Sequence, residues 1–488
     1  MRFRHLTLPA CALALAWSGL SGQVRAQSQD DTFVFMSSQL SCPPAKHQPH
    51  CYLTNPVAAA KAVAALRDAG ARNVLIPSAT LDEMMVIAQA IDDAGLKFYT
   101  YEHWEFIGAV RPQYPGGTFD CGAYTHDRID AEIAPLRKRF PNAYAGLHFT
   151  DEPLQRDLAN LGAQATCLRN DPRTAGMKIF VNLLPIYSNQ MQPGGPAAVP
   201  DAMAPAQYGV SCAAGGITNP TAAQTVASNH LAYVVAAADS IRPDFLATNI
   251  YVFDLHLAQC PAGREFVMTE GMSAVSNVAR ARGLKPVAYL QNFRTAAPPY
   301  SFHPTNFHHH RWYTSWFFVF GGRQFANFLS HDDDTISGAM HHGMLTASND
   351  SRDIAVDALN THAYTRQIQA QLGSRTHHRF VAPFLSVPTG ELIGWLPTNQ
   401  IVAGEYGLNA DSSAMVFFAR RSIDQPASST VSFNKWWSRV ERLNFNTGLW
   451  ETVGTNTNST QVALTDFPGA LYRLSMSGMA AERSETGQ

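Results

Sequence analysis

The chain has 488 residues, a formal net charge of −2, and 15% charged against 46% hydrophobic residues. A near-neutral chain without a basic cluster excludes nucleic acid and anionic membrane surfaces as partners. Low charge with 10% aromatic residues suits a neutral, hydroxyl-rich ligand, and the length calls for one large and one small domain.

The first residues read as an export signal. Arg2, Arg4 and His5 precede the apolar run Leu6 to Leu20, and Val24-Arg25-Ala26 presents residues that a signal peptidase accepts. Residues 1–26 are therefore expected to be removed, leaving a periplasmic or extracellular chain. No later stretch reads as a membrane span. Apart from Cys11, six cysteines remain: Cys42, Cys51, Cys121, Cys167, Cys212 and Cys260. An even set in an exported chain predicts disulfides, and chain order suggests Cys42–Cys51, Cys121–Cys167 and Cys212–Cys260 among the possible pairings. No CxxC pair offers a structural zinc site.

From Thr32 the pattern is strand, loop, helix, repeated. Strands are expected at Thr32 to Ser37, Asn73 to Pro77, Lys97 to Tyr101 and Ala143 to Phe149, then at Lys178 to Leu184, Phe245 to Tyr251, Pro286 to Gln291 and Gln324 to Leu329. Helical spacing fills most gaps. In Leu81 to Ala94, for example, Met84, Ile87, Ala88 and Ile91 fall on one face before Gly95. Eight buried strands alternating with helices predict an α/β fold, a (β/α)8 TIM barrel over residues 27–375. An open doubly wound sheet is the alternative, and no glycine-rich phosphate loop supports its nucleotide-binding forms. Extra length lies after strands three, five and seven, all on the face where barrel enzymes bind substrate. Residues 376–477 carry short alternating runs and turn signals, predicting a small antiparallel β-sandwich-like domain, and 478–488 a disordered tail.

Barrel enzymes take catalytic groups from strand C-terminal ends. Strand three ends Tyr101-Glu102-His103-Trp104, and strand four ends Thr150-Asp151-Glu152-Pro153. Strand five carries Asn182 and leads to Tyr187. Strand six carries Asn249 and Tyr251 and leads to Asp254. Strand seven ends Gln291-Asn292, and strand eight leads to the run Asp332 to Asp334. Two adjacent acids at strand four are the sharpest feature. Helix capping could explain Asp151, with Pro153 in the first turn of the next helix, but not both acids. Tyr101, Trp104, Tyr187 and Tyr251 could stack on sugar rings, or pack in the core or rim. His308-His309-His310 points three ways along a chain, so no metal is expected there, and no cofactor is expected.

Gly146 to Pro153, Val181 to Pro185, Val287 to Phe293 and Arg311 to Gly322 together resemble barrel glycoside hydrolases of the clan A type. That clan ends strand four in an Asn-Glu pair whose Glu is the acid/base, and the resemblance places this role on Glu152, with Asp151 replacing Asn. The clan's nucleophile, a Glu ending strand seven, falls here on Gln291, an amide that is better suited to hydrogen-bonding a sugar hydroxyl. Glycoside cleavage uses two carboxyls, about 5 Å apart for retention and roughly 6.5–9.5 Å for inversion. The expected partners of Glu152 are Asp254, then Glu102, then Asp332. Trp104, His103, Tyr101, Asn182, Tyr187, Asn249, Tyr251, Gln291 and Asp332 are the expected substrate contacts. The expected function is hydrolysis of an oligo- or polysaccharide. The alternatives are a polysaccharide lyase, which would want Arg or Lys beside the cleft, and a carbohydrate-binding barrel without catalysis.

Overall fold

The structure, a computed structural model, describes residues 32–36, 42, 49–77, 79–101, 129–188, 203–253, 257, 259–295, 306–332, 341–382, 390–407 and 413–476. The expected signal segment and C-terminal tail lie outside these residues. Eight parallel strands close into a barrel in chain order: β1 (Thr32–Phe35), β2 (Asn73–Ile76), β3 (Lys97–Tyr101), β4 (Tyr144–Asp151), β5 (Lys178–Leu183), β6 (Phe245–Thr248), β7 (Lys285–Gln291) and β8 (Gln324–Phe328), with β8 pairing back onto β1. Helices α1 (Pro56–Asp68), α2 (Leu81–Asp93), α3 (Ala134–Arg139), α4 (Leu158–Asn170) and α5 (Pro220–Ile241) follow the first five strands in turn. After β6, α6 (Pro261–Phe266) and α7 (Ser273–Ala281) join through a π-helical turn at Val267–Met272, and α8 (Phe307–Val319) and α9 (Asp353–Leu372) follow β7 and β8. The expected TIM barrel is present.

Local chemistry sets the helix starts. Thr80 and Glu83 form a reciprocal capping box on α2, and Asn55, Asn219 and Asn306 cap α1, α5 and α8 with side-chain oxygens. The barrel interior is filled rather than open. Phe33, Tyr99, Phe180, Phe245 and Tyr289 pack on one another there, with Phe33 edge-on to both Phe180 and Phe245 at 5.0 Å. Any ligand must therefore be met at the strand ends.

Beyond the barrel, β9 (His377–Val381), β10 (Ile393–Trp395), β11 (Ile401–Tyr406), β12 (Ser413–Arg420), β13 (Ala427–Leu443), β14 (Trp450–Leu464) and β15 (Gly469–Ser475) form the expected C-terminal antiparallel sheet. The sheet includes strands that local alternation alone does not mark. In β11 the buried Glu405 breaks the apolar alternation, and its carboxylate accepts from the backbone N–H groups of Glu391, Leu392 and Ile393. Disulfides Cys42–Cys51 and Cys212–Cys260 form as expected. Cys167 is also disulfide-bonded, while its expected partner Cys121 lies outside the described residues.

The sheet docks on α8. Trp312 and Trp316 donate their indole N–H to the Arg420 carbonyl at 3.0 and 3.1 Å, His377 Nε2 donates to the Val319 carbonyl at 2.7 Å, and Tyr406 donates to the Phe318 carbonyl. Gly404 lies so close that a Cβ would collide with the Val319 backbone, whereas a Cβ at Gly216 would meet open space. Gly404→Ala should therefore lower unfolding stability by about 1–3 kcal/mol. Gly216→Ala should change it by less than about 0.5 kcal/mol. Urea titrations of the two variants check both values.

Candidate active site at the end of strand four

The site is built where β4 runs out. Asp151 pairs in register with Asn182 of β5, and Asn182 Nδ2 donates to Asp151 Oδ1 at 2.6 Å. Tyr101, at the end of β3, donates its hydroxyl to Asp151 Oδ2 at 3.3 Å. Glu152 then leaves the strand with φ 49°, the left-handed region. For a residue with a Cβ this costs on the order of 1–3 kcal/mol, and such residues concentrate at functional sites. Its own N–H still donates to the Asn182 carbonyl at 2.9 Å, so the ladder holds the strained residue in place.

The turn breaks the alternation that would send Asp151 and Glu152 to opposite faces, and the two carboxylates interact electrostatically. Asn249, beyond the end of β6, donates Nδ2 to Glu152 Oε1. Burial, followed by the Asp151 charge, pushes the Glu152 carboxyl up to about 7, against the lowering effect of the Asn249 bond. Among the described residues no cation contributes to that balance.

A second layer holds these groups. The Tyr187 hydroxyl accepts from the Tyr251 N–H at 3.0 Å and donates to the Asn249 carbonyl at 3.5 Å, fixing the backbone that carries Asn249. The buried Tyr233 of α5 accepts from the Leu184 N–H at 3.3 Å and donates to the Pro153 carbonyl at 2.7 Å, tying the loops after β4 and β5 together. The mouth is walled by aromatic rings. Tyr101 stacks on His148 at 4.8 Å, Phe35 meets Tyr101 at 5.5 Å, and Phe328 joins Tyr251 at 6.0 Å and Phe293 at 5.6 Å. Burial holds the hydroxyls of Tyr101, Tyr251 and Tyr289 well above the usual tyrosine range, with the Asp151 charge adding to each.

The structure thus gathers Asp151, Glu152, Tyr101, Asn182, Tyr187, Asn249 and Tyr251 around one turn. Gln291 is buried at the end of β7, and its carbonyl accepts from His310 Nε2 at 3.1 Å. His309 instead accepts from the Asn306 N–H at the start of α8, so the histidine run serves the helix and strand ends separately. Asp332 is buried rather than solvated, bonded to Arg352 at 2.7 Å and to the Gly343 N–H at 3.2 Å. Helix capping does not account for Asp151: α4 begins only at Leu158, after a 3-10 turn at Gln155–Asp157, and Pro153 precedes both. Glu102, His103, Trp104 and Asp254 lie outside the described residues. Sequence reasoning missed Tyr233, Tyr289, Phe35 and Phe328. Tyr289 was readable only as one aromatic in an apolar strand, and Tyr233 as one in an Ala-rich helix.

No family model and no curated protein match the chain. Similar solved structures include a family 39 glycoside hydrolase from Bacteroides cellulosilyticus, with TM-score 0.44 and 10% identity over 92% of this chain and 81% of that one. A family 99 endo-alpha-mannosidase from Bacteroides thetaiotaomicron has TM-score 0.38 and 7% identity, covering 70% of this chain and 99% of that one. A family 5 xyloglucan-specific beta-1,4-glucanase from a ruminal metagenomic library has TM-score 0.38 and 11% identity, covering 72% of this chain and 97% of that one. At these identities the likeness is one of fold, and no residue role is carried across it.

Two tests need no substrate. Because folding raises the Glu152 carboxyl from 4.5 to about 7, the folded chain binds this proton more tightly than the unfolded one. The resulting stabilisation is full below about pH 4.5 and is lost as pH rises through 7. Glu152→Gln should then be more stable than the parent at pH 8.5, by about 1–3 kcal/mol, with the advantage gone at pH 4. Thermal melts across pH check this. Asn249→Leu should move the Glu152 titration upward and Asp151→Asn should move it downward, as read by carboxyl-carbon NMR.

Proposed function

We propose that the chain is an exported glycoside hydrolase that cleaves a neutral oligo- or polysaccharide, with Glu152 as proton donor. The observation that carries this reading is the Glu152 carboxyl itself: half-buried at a barrel strand end, raised to about 7, and aimed by an amide. A carboxylic acid still protonated near neutrality is what protonation of a glycosidic oxygen requires. Asp151 acts beside it by making the Glu152 proton harder to lose. Asp254 and then Glu102, following β6 and β3, are the candidates for the second carboxylate. Asp332 is a weaker one, since Arg352 already holds it. Tyr101 and Tyr251 offer ring surface to a sugar, Asn182, Asn249 and Gln291 offer amides, and Tyr187 positions Asn249. His103 and Trp104 belong to the same proposed cleft. The disulfides fit an oxidising compartment.

The lyase alternative would want an Arg or Lys beside the cleft, and among the described residues none enters the charge balance at Glu152. The binding-barrel alternative rests on Gln291, which puts an amide at the end of β7. A panel of neutral polysaccharides, assayed for reducing ends, separates these readings. Glu152→Gln should lower the rate by about 10²–10⁴-fold, and the parent's activity should fall as pH rises through about 7. A variant as fast as the parent removes Glu152 from the chemistry. Binding without cleavage by the parent leaves the binding barrel.

A further inference from the structure

Two large aromatic side chains outside the barrel face water. Trp395 and Trp436 are 54% and 68% exposed, while Trp312, Trp316 and Trp437 are fully buried. A single exposed apolar side chain is ordinary, whereas apolar surface rimmed by polar groups marks an interaction site, and here two indoles emerge from adjoining strands.

The register places the first of them on a defined surface. Ile393 of β10 pairs with Phe433, and both side chains are buried. A bulge between Ile393 and Trp395 then shifts the register, so that Trp395 pairs with Ser432 instead. Residues directly opposite in an antiparallel pair share a face, so Trp395 turns outward with Ser432. On the other side of β13, Ser432 pairs with Ser459 of β14. Trp395, Ser432 and Ser459 thus form one row across three strands. Trp436 emerges four residues further along β13, where a second register shift separates Ser432 from Trp437, and at most about 14 Å of chain lies between Ser432 and Trp436.

The surroundings select the ligand. The β13 residues Ser428, Thr430, Ser432 and Asn434 are uncharged, as are Ser459 and Gln461 across from them. Their hydroxyls and amides are already ordered: Thr430 donates to Gln461 Oε1 at 2.9 Å, Gln461 Nε2 donates to Ser428 Oγ at 2.9 Å, and Asn434 Nδ2 donates to the Gly390 carbonyl at 2.9 Å. Two indoles on a neutral, hydroxyl- and amide-rich surface match a chain that presents C–H faces and hydroxyl edges. The residues in this row carry no charge to meet an acidic or basic polymer, the nearest charged neighbours being Glu391 and Lys435 at its edge. We propose that the outer face of β10, β13 and β14 is a platform for a neutral polysaccharide chain, separate from the barrel cleft. This assignment does not depend on the catalytic reading of Glu152.

Affinity gel electrophoresis of the full chain tests it, with mixed-linkage glucan, xyloglucan, galactomannan and galactan each cast in native gels and polygalacturonate as the charged control. The Glu152→Gln background suppresses cleavage. At least one neutral polymer should retard the chain, and Trp395→Ala with Trp436→Ala should weaken that retardation at least five-fold, leaving the melting temperature unchanged because both rings are exposed. Retardation by no neutral polymer overturns the platform, as does retardation that survives the double substitution. Equal retardation by polygalacturonate overturns the charge argument and the ligand class with it. A concentration-dependent dimer in sedimentation that the double substitution abolishes assigns the face to a second copy of the chain instead. Activity of the Trp variants on a short soluble substrate should stay at the level of the parent, whatever the fate of the Glu152 reading.

Discussion

One left-handed residue sets the geometry of the turn at the end of β4. Were Glu152 an ordinary continuation of β4, strand alternation would point it away from Asp151, and only one acid could reach the mouth of the barrel. The φ of 49° turns it back, and three elements oppose the strain. The β5 ladder takes the Glu152 N–H, Tyr233 takes the Pro153 carbonyl, and Asn249 takes the carboxylate from beyond β6. A strained residue persists only where its surroundings over-determine it, and here the surroundings are three different parts of the barrel wall. The upward shift of the Glu152 pKa follows from the same placement, since burial is its largest cause and the neighbouring Asp151 its second.

The filling of the barrel works with this turn. Rings of Phe33, Phe180, Phe245 and Tyr289 close the interior, so a solute cannot sink into the barrel axis and must lie across the strand ends. Toward the mouth the rings change character, from purely apolar phenylalanines to tyrosines with hydroxyls and the imidazole of His148. Such a surface is apolar enough to keep the Glu152 carboxyl protonated near neutrality, and polar enough to orient a ligand.

The fold was legible because each barrel strand is a short apolar run between helices of clear period, although β1 and β6 end two and three residues before the expected positions and β4 runs two residues past its own. The Asp-Glu turn was legible as two acids in a place where one cap would suffice. What was not legible came from groups far apart in sequence. Asn249 and Glu152 are 97 residues apart and meet only because β6 and β4 flank β5. Tyr233 gives no local sign that its hydroxyl bridges two loops. The long β14 strand was half hidden, since its Thr- and Asn-rich stretch lacks hydrophobic alternation, and β11 was hidden by the buried carboxylate of Glu405. Local periodicity reports burial of side chains and is silent on which polar groups burial brings together.

The amide at the end of β7 gains meaning beside the acid at position 151. The clan pattern that the sequence resembles has an amide before the strand-four acid and a carboxylate on strand seven. This chain has Asp151 and Gln291 at those places. Against that pattern, the amide and the carboxylate stand at exchanged places. A third acid at residue 291, if held about 6 Å from the existing pair, would add roughly 3 kcal/mol of repulsion at an effective dielectric constant of 20. Gln291 avoids that cost while keeping a polar group beside the site. The exchange also has a geometric consequence. Two acids on adjacent residues of one turn approach a bound sugar from the same side, whereas glycoside cleavage needs carboxyl groups that flank the scissile bond. The flanking group must then come from another strand end, and among the described residues the end of β7 offers amides in Gln291 and Asn292 while the acid after β8 is held by Arg352. On the proposed hydrolase reading, the partner carboxylate is therefore sought in the segments that follow β3 and β6, where Glu102 and Asp254 lie.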